Sequence, residues 1–414
     1  MRTILICCIM ISACATCALA AIGEDFTIGA YYSMPWLEPN DNFSYDYAFM
    51  DMARIGCNFA VLSGNVWVAN WAALKHWGIK GVTSYNILNG YPGEGAWDPC
   101  DFVSGMIQER DRLNGLTYNG EYVGDAVVGH IMTDEPEATG REPTEDQKNY
   151  LRAFADVYHQ YIPTREIYVN HSDPPWYDLN EKQASCSATT ISINNSRIKD
   201  RQIAANNIGL ENFTVVAHVK SLTLWMDNQC VRIEAFGLGP CTQQVKDWLA
   251  TRTNYQDVYE ELITAYHFEA KGCTFYKYNQ HMDDWSIVDI NGNDLYGRRA
   301  AISDAAHDLR SSQDWPSVVL FNNGIPFNDR GNYPAGDFTL TATADSPSGT
   351  IAKVIFGKTT DGGAIWQSIE DTTVPYSATF SASTGQTVIF RAQAVDTNGK
   401  KSIYAANMIY INDL

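Results

Sequence analysis

Two adjacent carboxylates, Asp134 and Glu135, end an almost unbroken apolar run in residues 127–136, VVGHIMTDEP. Neighbouring acids raise each other's pKa, so such a pair is suited to holding a proton near neutral pH and delivering it to a leaving group. Acids before a proline also cap turns. Two of them on a buried strand, however, carry a desolvation cost that a loop avoids. An apolar run of this length, bounded by turn residues, reads as a buried parallel strand. In an α/β barrel the end of such a strand is the mouth where catalytic residues collect.

Other polar residues end or follow further apolar runs. Asn86, Asn170 and Asn194 fall late in the third, fifth and sixth, and His171, His218 and His281 follow the fifth, seventh and eighth. Three imidazoles at one mouth can hold zinc. The first run lacks the His-x-His pair of metal barrels, so hydrogen bonding to a substrate is the expected use, with no metal and no cofactor. His130, inside the fourth run, reads as a packed, hydrogen-bonded core histidine. Trp36, Tyr91, Trp97, Trp176, Trp225 and Trp285 lie in or beside the loops at the strand ends, where flat aromatic faces either stack on sugar rings or pack the loops. Tyr278 and Lys277 share the last run, and strand alternation admits only one of them to the interior.

The elements that must position these groups alternate. Strands are predicted at 27–32, 59–62, 81–85, 127–132, 166–170, 190–194, 214–219 and 274–278, and helices at 45–54, 69–76, 98–113, 144–161, 203–208, 255–269 and 298–309. This repeated βα pattern favours an α/β fold, a closed (β/α)8 TIM barrel, over an open doubly wound sheet, because no Gly-rich phosphate turn follows the first strand. After Leu309 the texture changes to a polar linker, 311–316, and then to short alternating strands such as DFTLTATAD, AKVIFGKT and TVIFRAQAVD, the pattern of a small all-β sandwich. The expected division is 1–20 leader, 21–312 barrel and 317–414 sandwich.

Arg2, the apolar stretch 4–15 and Ala18-Leu19-Ala20 form an export signal with a small-x-small cleavage site, which implies a secreted or periplasmic protein. A lipobox-like Ile11-Ser12-Ala13-Cys14 offers a lipid anchor through Cys14 instead. Of the ten cysteines, Cys7, Cys8, Cys14 and Cys17 lie in this leader. Export permits disulfides. Cys230 and Cys241, flanking a Gly-rich loop, are the expected bridge, whereas Cys57 and Cys273 read as buried strand thiols. A net charge of −19 argues against nucleic acid as a partner. No segment after the leader has the ~20 apolar residues of a membrane helix.

The region from Pro316 to the C-terminus resembles the bacterial immunoglobulin-like modules of secreted polysaccharide-active enzymes, through ADSPSGTIAKVIFGKTTDGG, Val374-Pro375-Tyr376 and Arg391-Ala392-Gln393-Ala394-Val395-Asp396. The barrel resembles clan A glycoside hydrolases, and secreted barrels with a strand-four G-x-x-x-x-D-E-P motif, through Gly129 to Pro136 and the stretch AYHFEAKGCTFYKY followed by DINGNDLYGRR. That resemblance implies a carbohydrate substrate, a Glu acid/base after strand four, matched by Glu135, and a nucleophilic Glu ending strand seven. Residues 214–220, TVVAHVK, offer no acid there. Glu234 or Asp227 from the following loop, or Asp283 or Asp284 after strand eight as base for an inverting reaction, can fill the role. So can substrate assistance, with Asp134 orienting an acetamido group as in the hexosaminidases that the adjacent Asp-Glu resembles. A non-catalytic carbohydrate-binding protein on a decayed barrel would also account for the missing acid, although retention of Asp134 and Glu135 together argues against full decay.

Overall fold

The computed structural model describes residues 26–33, 45–63, 66–84, 102–134, 145–170, 184–185, 214–218, 254–267, 272–276, 278, 287–289 and 292–413. The first part runs β1 (Thr27–Ser33), α1 (Tyr45–Arg54), β2 (Phe59–Ser63), α2 (Val68–His76), β3 (Lys80–Ser84), α3 (Val103–Asn114), β4 (Thr117–Tyr118), β5 (Glu121–Tyr122), β6 (Val127–Asp134), α4 (Glu145–Tyr161), β7 (Glu166–Asn170), β8 (Ala184–Ser185), β9 (Thr214–His218), α5 (Tyr255–His267), β10 (Gly272–Tyr276) and α6 (Arg298–Ser311). Eight of these strands form one parallel sheet in the order β7-β6-β3-β2-β1-β10-β9-β8. The two ends of the row, β7 and β8, approach within 8 Å at Cα, so the sheet is curled into a barrel.

Period two along the strands separates the barrel interior from the helix layer. Phe59 and Val61 of β2 cluster with Val82, Ile131 and Tyr168 in the interior, while Ala60 and Leu62 join residues of the surrounding helices. Gly29 lies where the interior is narrow: a Cβ there would crowd the Phe59 ring and the Thr274 hydroxyl. Seven expected strands are present. The predicted strand at 190–194 lies outside the described residues, as does the predicted helix 203–208; the sixth described barrel strand in chain order is β8, too short to leave a periodic signal. The β4–β5 hairpin was not expected, although its turn is Asn119-Gly120, both at positive φ (48° and 83°), the usual two-residue hairpin chemistry.

Beyond α6 come β11 (Ser317–Asn322), β12 (Ile325–Pro326), β13 (Asn332–Tyr333), β14 (Gly336–Asp345), β15 (Ile351–Thr359), β16 (Gln367–Asp371), β17 (Tyr376–Ala382), β18 (Thr387–Asp396) and β19 (Ala405–Ile411). They form two sheets, β12-β11-β14-β17 and β13-β19-β18-β15-β16, antiparallel except for the β13–β19 pair. Phe338, Phe356, Phe380 and Phe390 fill the space between them. Strict alternation, as in β17 where every second residue is buried, is what made these strands readable. Among the described residues no helix is long and apolar enough to cross a membrane.

The sandwich packs on α1, α2, α6 and the αβ turns, so that Ile389, Ile403 and Met408 continue the core of the barrel's helix layer. The Arg391 guanidinium lies 3.7 Å from the Trp366 ring, 4.8 Å from Tyr404 and 5.2 Å from Trp77, and donates to the His76 carbonyl at 2.5 Å. The hydrogen bonds and ring contacts that join the two parts fall on this flank. Among the described residues none of these contacts involves the C-terminal ends of the barrel strands.

A second polar junction centres on Asp51 of α1, which is fully buried. It accepts from Arg54 at 2.6 Å, from Arg299 of α6 at 2.5 and 2.8 Å, and from the Tyr278 hydroxyl at 2.6 Å. Arg54 continues to Asp329 of the sandwich at 2.8 Å. Burial alone would raise the Asp51 carboxyl; the two guanidinium groups and these hydrogen bonds outweigh it and hold the carboxyl below its usual range. Because the folded pKa is depressed, this stabilisation is present above the ordinary Asp value of about 3.9 and is lost as pH falls below it through the folded value. Asp51→Asn leaves Arg299 without its anion and Arg54 with Asp329 alone, and should cost about 3–5 kcal/mol in urea unfolding at pH 7. The difference from wild type should shrink in acid; an equal difference at all pH values would contradict the assignment.

Candidate active site

Strand parity identifies what stands at the C-terminal end of the barrel. Counted in twos from the interior residues, Gly29 leads to Ser33, Val61 to Ser63, Val82 to Ser84, Tyr168 to Asn170 and Thr274 to Tyr276. Across the ladders Ser33 pairs with Ser63, Asp134 with Asn170, and Tyr276 with His218. The barrel strands therefore end at Ser33, Ser63, Ser84, Asp134, Asn170, His218 and Tyr276, all residues of hydrogen-bonding types, and an apolar cluster of Val61, Val82, Ile131 and Tyr168 lies inside the barrel. The end of β6 carries an irregularity. Ile131 pairs with Tyr168 but Thr133 with Val169, a one-residue shift that leaves Met132 without a counterpart and sets Asp134 level with Asn170.

Of the residues expected at the mouth, Asp134, Asn170 and His218 take strand-end positions. Glu135, Trp36, Asn86, His171, Asn194, Trp225, His281, Trp285, Asp227, Glu234, Asp283 and Asp284 lie outside the described residues, as do Cys230, Cys241 and the leader. Ser33, Ser63, Ser84 and Tyr276 were missed by sequence reasoning; counting in twos from a known interior residue would have found them. The expectation for Tyr278 needs correction. β10 ends at Tyr276, alternation no longer governs position 278, and the Tyr278 side chain is fully buried with its hydroxyl on Asp51. Its carbonyl accepts from both Ile287 and Val288 at 3.1 Å, across the segment 279–286, which carries His281, Asp283, Asp284 and Trp285.

Behind the fourth strand of the barrel a polar network joins it to the helices. His130, buried as expected, contacts Glu109 of α3 at 2.9 Å and the Tyr158 hydroxyl of α4 at 2.6 Å, and Glu109 also accepts two hydrogen bonds from Arg112 at 2.6 Å. Burial would raise the Glu109 carboxyl, but Arg112 and His130 outweigh it and hold it below the usual range. The network fixes β6 laterally, just below the Met132 irregularity. Cys57 and Cys273 are buried and in no disulfide, as expected.

No protein-family model matches the sequence, and a comparison with curated proteins finds none similar. Among solved structures, the chain is similar to the endo-beta-1,4-mannanase of Thermotoga petrophila, at 10% identity and TM-score 0.42 over 94% of this chain and 99% of that one. It is also similar to the beta-D-mannosidase of Dictyoglomus thermophilum, at 14% identity and TM-score 0.43 over 94% of this chain and 50% of that one. Fibronectin(III)-like modules of Clostridium thermocellum CbhA match 24% of this chain and 47% of theirs, at 24% identity and TM-score 0.20. The chain thus spans about half the length of the last two. Likenesses with TM-scores this low carry no argument about activity.

His130→Ala removes a partner from both Glu109 and Tyr158 and should destabilise the chain by about 1–3 kcal/mol in urea unfolding. Melting indistinguishable from wild type would show that the network does not hold the strand.

Proposed function

We propose that this chain is a secreted glycoside hydrolase acting on a poly- or oligosaccharide, with Glu135 delivering the proton to the leaving oxygen. The observation that carries the reading is the hydrogen-bonding ring at the strand ends, with Asp134 paired to Asn170, above an apolar barrel interior. Barrel enzymes work at this end, a sugar offers hydroxyls to such a ring, and the sandwich is joined to another flank. Glu135 follows Asp134 directly in the sequence, and a neighbouring carboxylate helps to keep a proton donor protonated.

Hydrolysis also needs a group acting on the anomeric carbon. The hydrogen bonds across segment 279–286 support Asp283 or Asp284 as base for water, in an inverting reaction, because a nucleophile or base must be held in place to be effective. Asp227 and Glu234 are the other carboxylates for this role, and Asp134 serves it instead if the substrate carries an acetamido group. Trp36, Asn86, Asn170, His171, Asn194, His218, Trp225, His281 and Trp285 are proposed to bind the sugar.

One observation favours a second reading. β9 ends at His218 with no carboxylate, as in a barrel that binds carbohydrate without cleaving it. Hydrolysis of a library of plant, algal and microbial glycans separates the two. Glu135→Gln should lower turnover ~10²–10⁴-fold while leaving sugar binding intact, with a smaller loss on substrates whose leaving groups need little protonation. Glycans bound but never cleaved, or a Glu135→Gln variant as fast as wild type, would overturn the hydrolase reading in favour of the binding one.

A further inference from the structure

A cleft of about 240 Å3 opens far from the strand ends, where the turns after α1 and α2 and the end of α6 meet the sandwich. Arg310, Trp315, Gln393, Lys401, Ser402 and Tyr404 line it; two cations are present and no carboxylate, although the chain as a whole carries a net charge of −19. The Arg310 guanidinium lies 5.3 Å over the Trp315 ring and makes no ion pair among the described residues. Burial lowers its pKa to about 10, with no carboxylate near enough to restore it. Arg391 is lowered to about 10 for the same reason, but its guanidinium is enclosed by three aromatic rings and donates to the His76 carbonyl, so its place in the interface is accounted for. Arg310 has no equivalent role. A cation partly withdrawn from water without an anion is costly, and a bound anion offsets that cost.

The rest of the wall adds shape and further polarity. Ser402 accepts from the Ala394 N–H at 2.9 Å and the Gln393 amide donates to the Ser402 carbonyl at 3.0 Å, so neither bond uses the Ser402 hydroxyl proton or the Gln393 side-chain oxygen. Trp315 and Tyr404 supply flat faces. The volume is below the usual range for drug-sized ligands, which suits one small ring.

We infer that this cleft binds a monosaccharide acid, its carboxylate held by Arg310 and Lys401 and its ring set beside Trp315 and Tyr404 with hydroxyls reaching Ser402 and Gln393. The inference uses no strand-end residue, and stands or falls separately from the hydrolase reading.

The test is titration calorimetry on the full chain with sodium glucuronate, glucose and sodium acetate at matched ionic strength, with melting temperature as a second readout. Glucuronate should bind saturably and raise the melting temperature, with glucose and acetate at least about tenfold weaker, since each lacks one half of what the cleft recognises. Arg310→Gln should weaken glucuronate by about 10–100-fold, the effect of losing a charge-assisted hydrogen bond. Lys401→Gln, at an exposed position that leaves the fold intact, should weaken it several-fold. Glucuronate no tighter than glucose, acetate as tight as glucuronate, or glucuronate binding that survives both substitutions would each overturn the inference. The last of these would place the acid at some other site, the barrel mouth included.

Discussion

The functional account depends on one constraint, the two-residue period of a β-strand. A parallel strand in a barrel gives alternate positions to the interior and to the helices, and a slip of one residue exchanges them. On β6 the count from Ile131 in strict alternation would give the interior to Thr133 and turn Asp134 toward the helix layer. The shift at Met132 interrupts that count and sets Asp134 level with Asn170. Bulges of this kind re-aim residues next to active sites, and here one brings the acid that ends β6 level with the asparagine that ends β7.

Holding that register takes lateral support, and the chain supplies it with buried polar groups rather than with apolar packing alone. His130 ties β6 to α3 and α4 through Glu109 and Tyr158. Asp51 ties α1 to α6, to the residue that follows the last barrel strand and, through Arg54, to the sandwich. Such groups are expensive to bury unless every partner is in place, so they favour one arrangement of the surrounding elements. The sandwich adds its own constraint by fixing the α1, α2 and α6 flank, away from the strand ends.

Much of this was legible in the sequence because it depends on local periodicity. Residues 45–54, 59–62 and 166–170 alternate or repeat clearly enough that their elements fall where expected, and the sandwich strands do likewise. His130 was recognisable as a core residue because it interrupts an apolar run. What was not legible depends on partners distant in sequence or on backbone detail. Nothing in YDYAFMDMAR shows that Asp51 will be fully buried, since Tyr278 and Arg299 lie 227 and 248 residues away. The Met132 shift leaves no mark in VVGHIMTDEP, because a bulge is a relation between two strands. Tyr278 was misplaced by extending the last strand two residues too far. The Asn-Gly turn of the β4–β5 hairpin was legible but lay inside a segment read only as a connection.

The register at the end of β6 can be measured directly by thiol labelling of two variants, Thr133→Cys and Asp134→Cys, each read by peptide mass so that the native cysteines do not interfere. The account predicts that the thiol introduced by Asp134→Cys reacts with a small reagent in the folded chain and is protected by a bound oligosaccharide, whereas that introduced by Thr133→Cys reacts only after unfolding. The reverse pattern, with position 133 reactive and sugar-protected and position 134 silent, would contradict it.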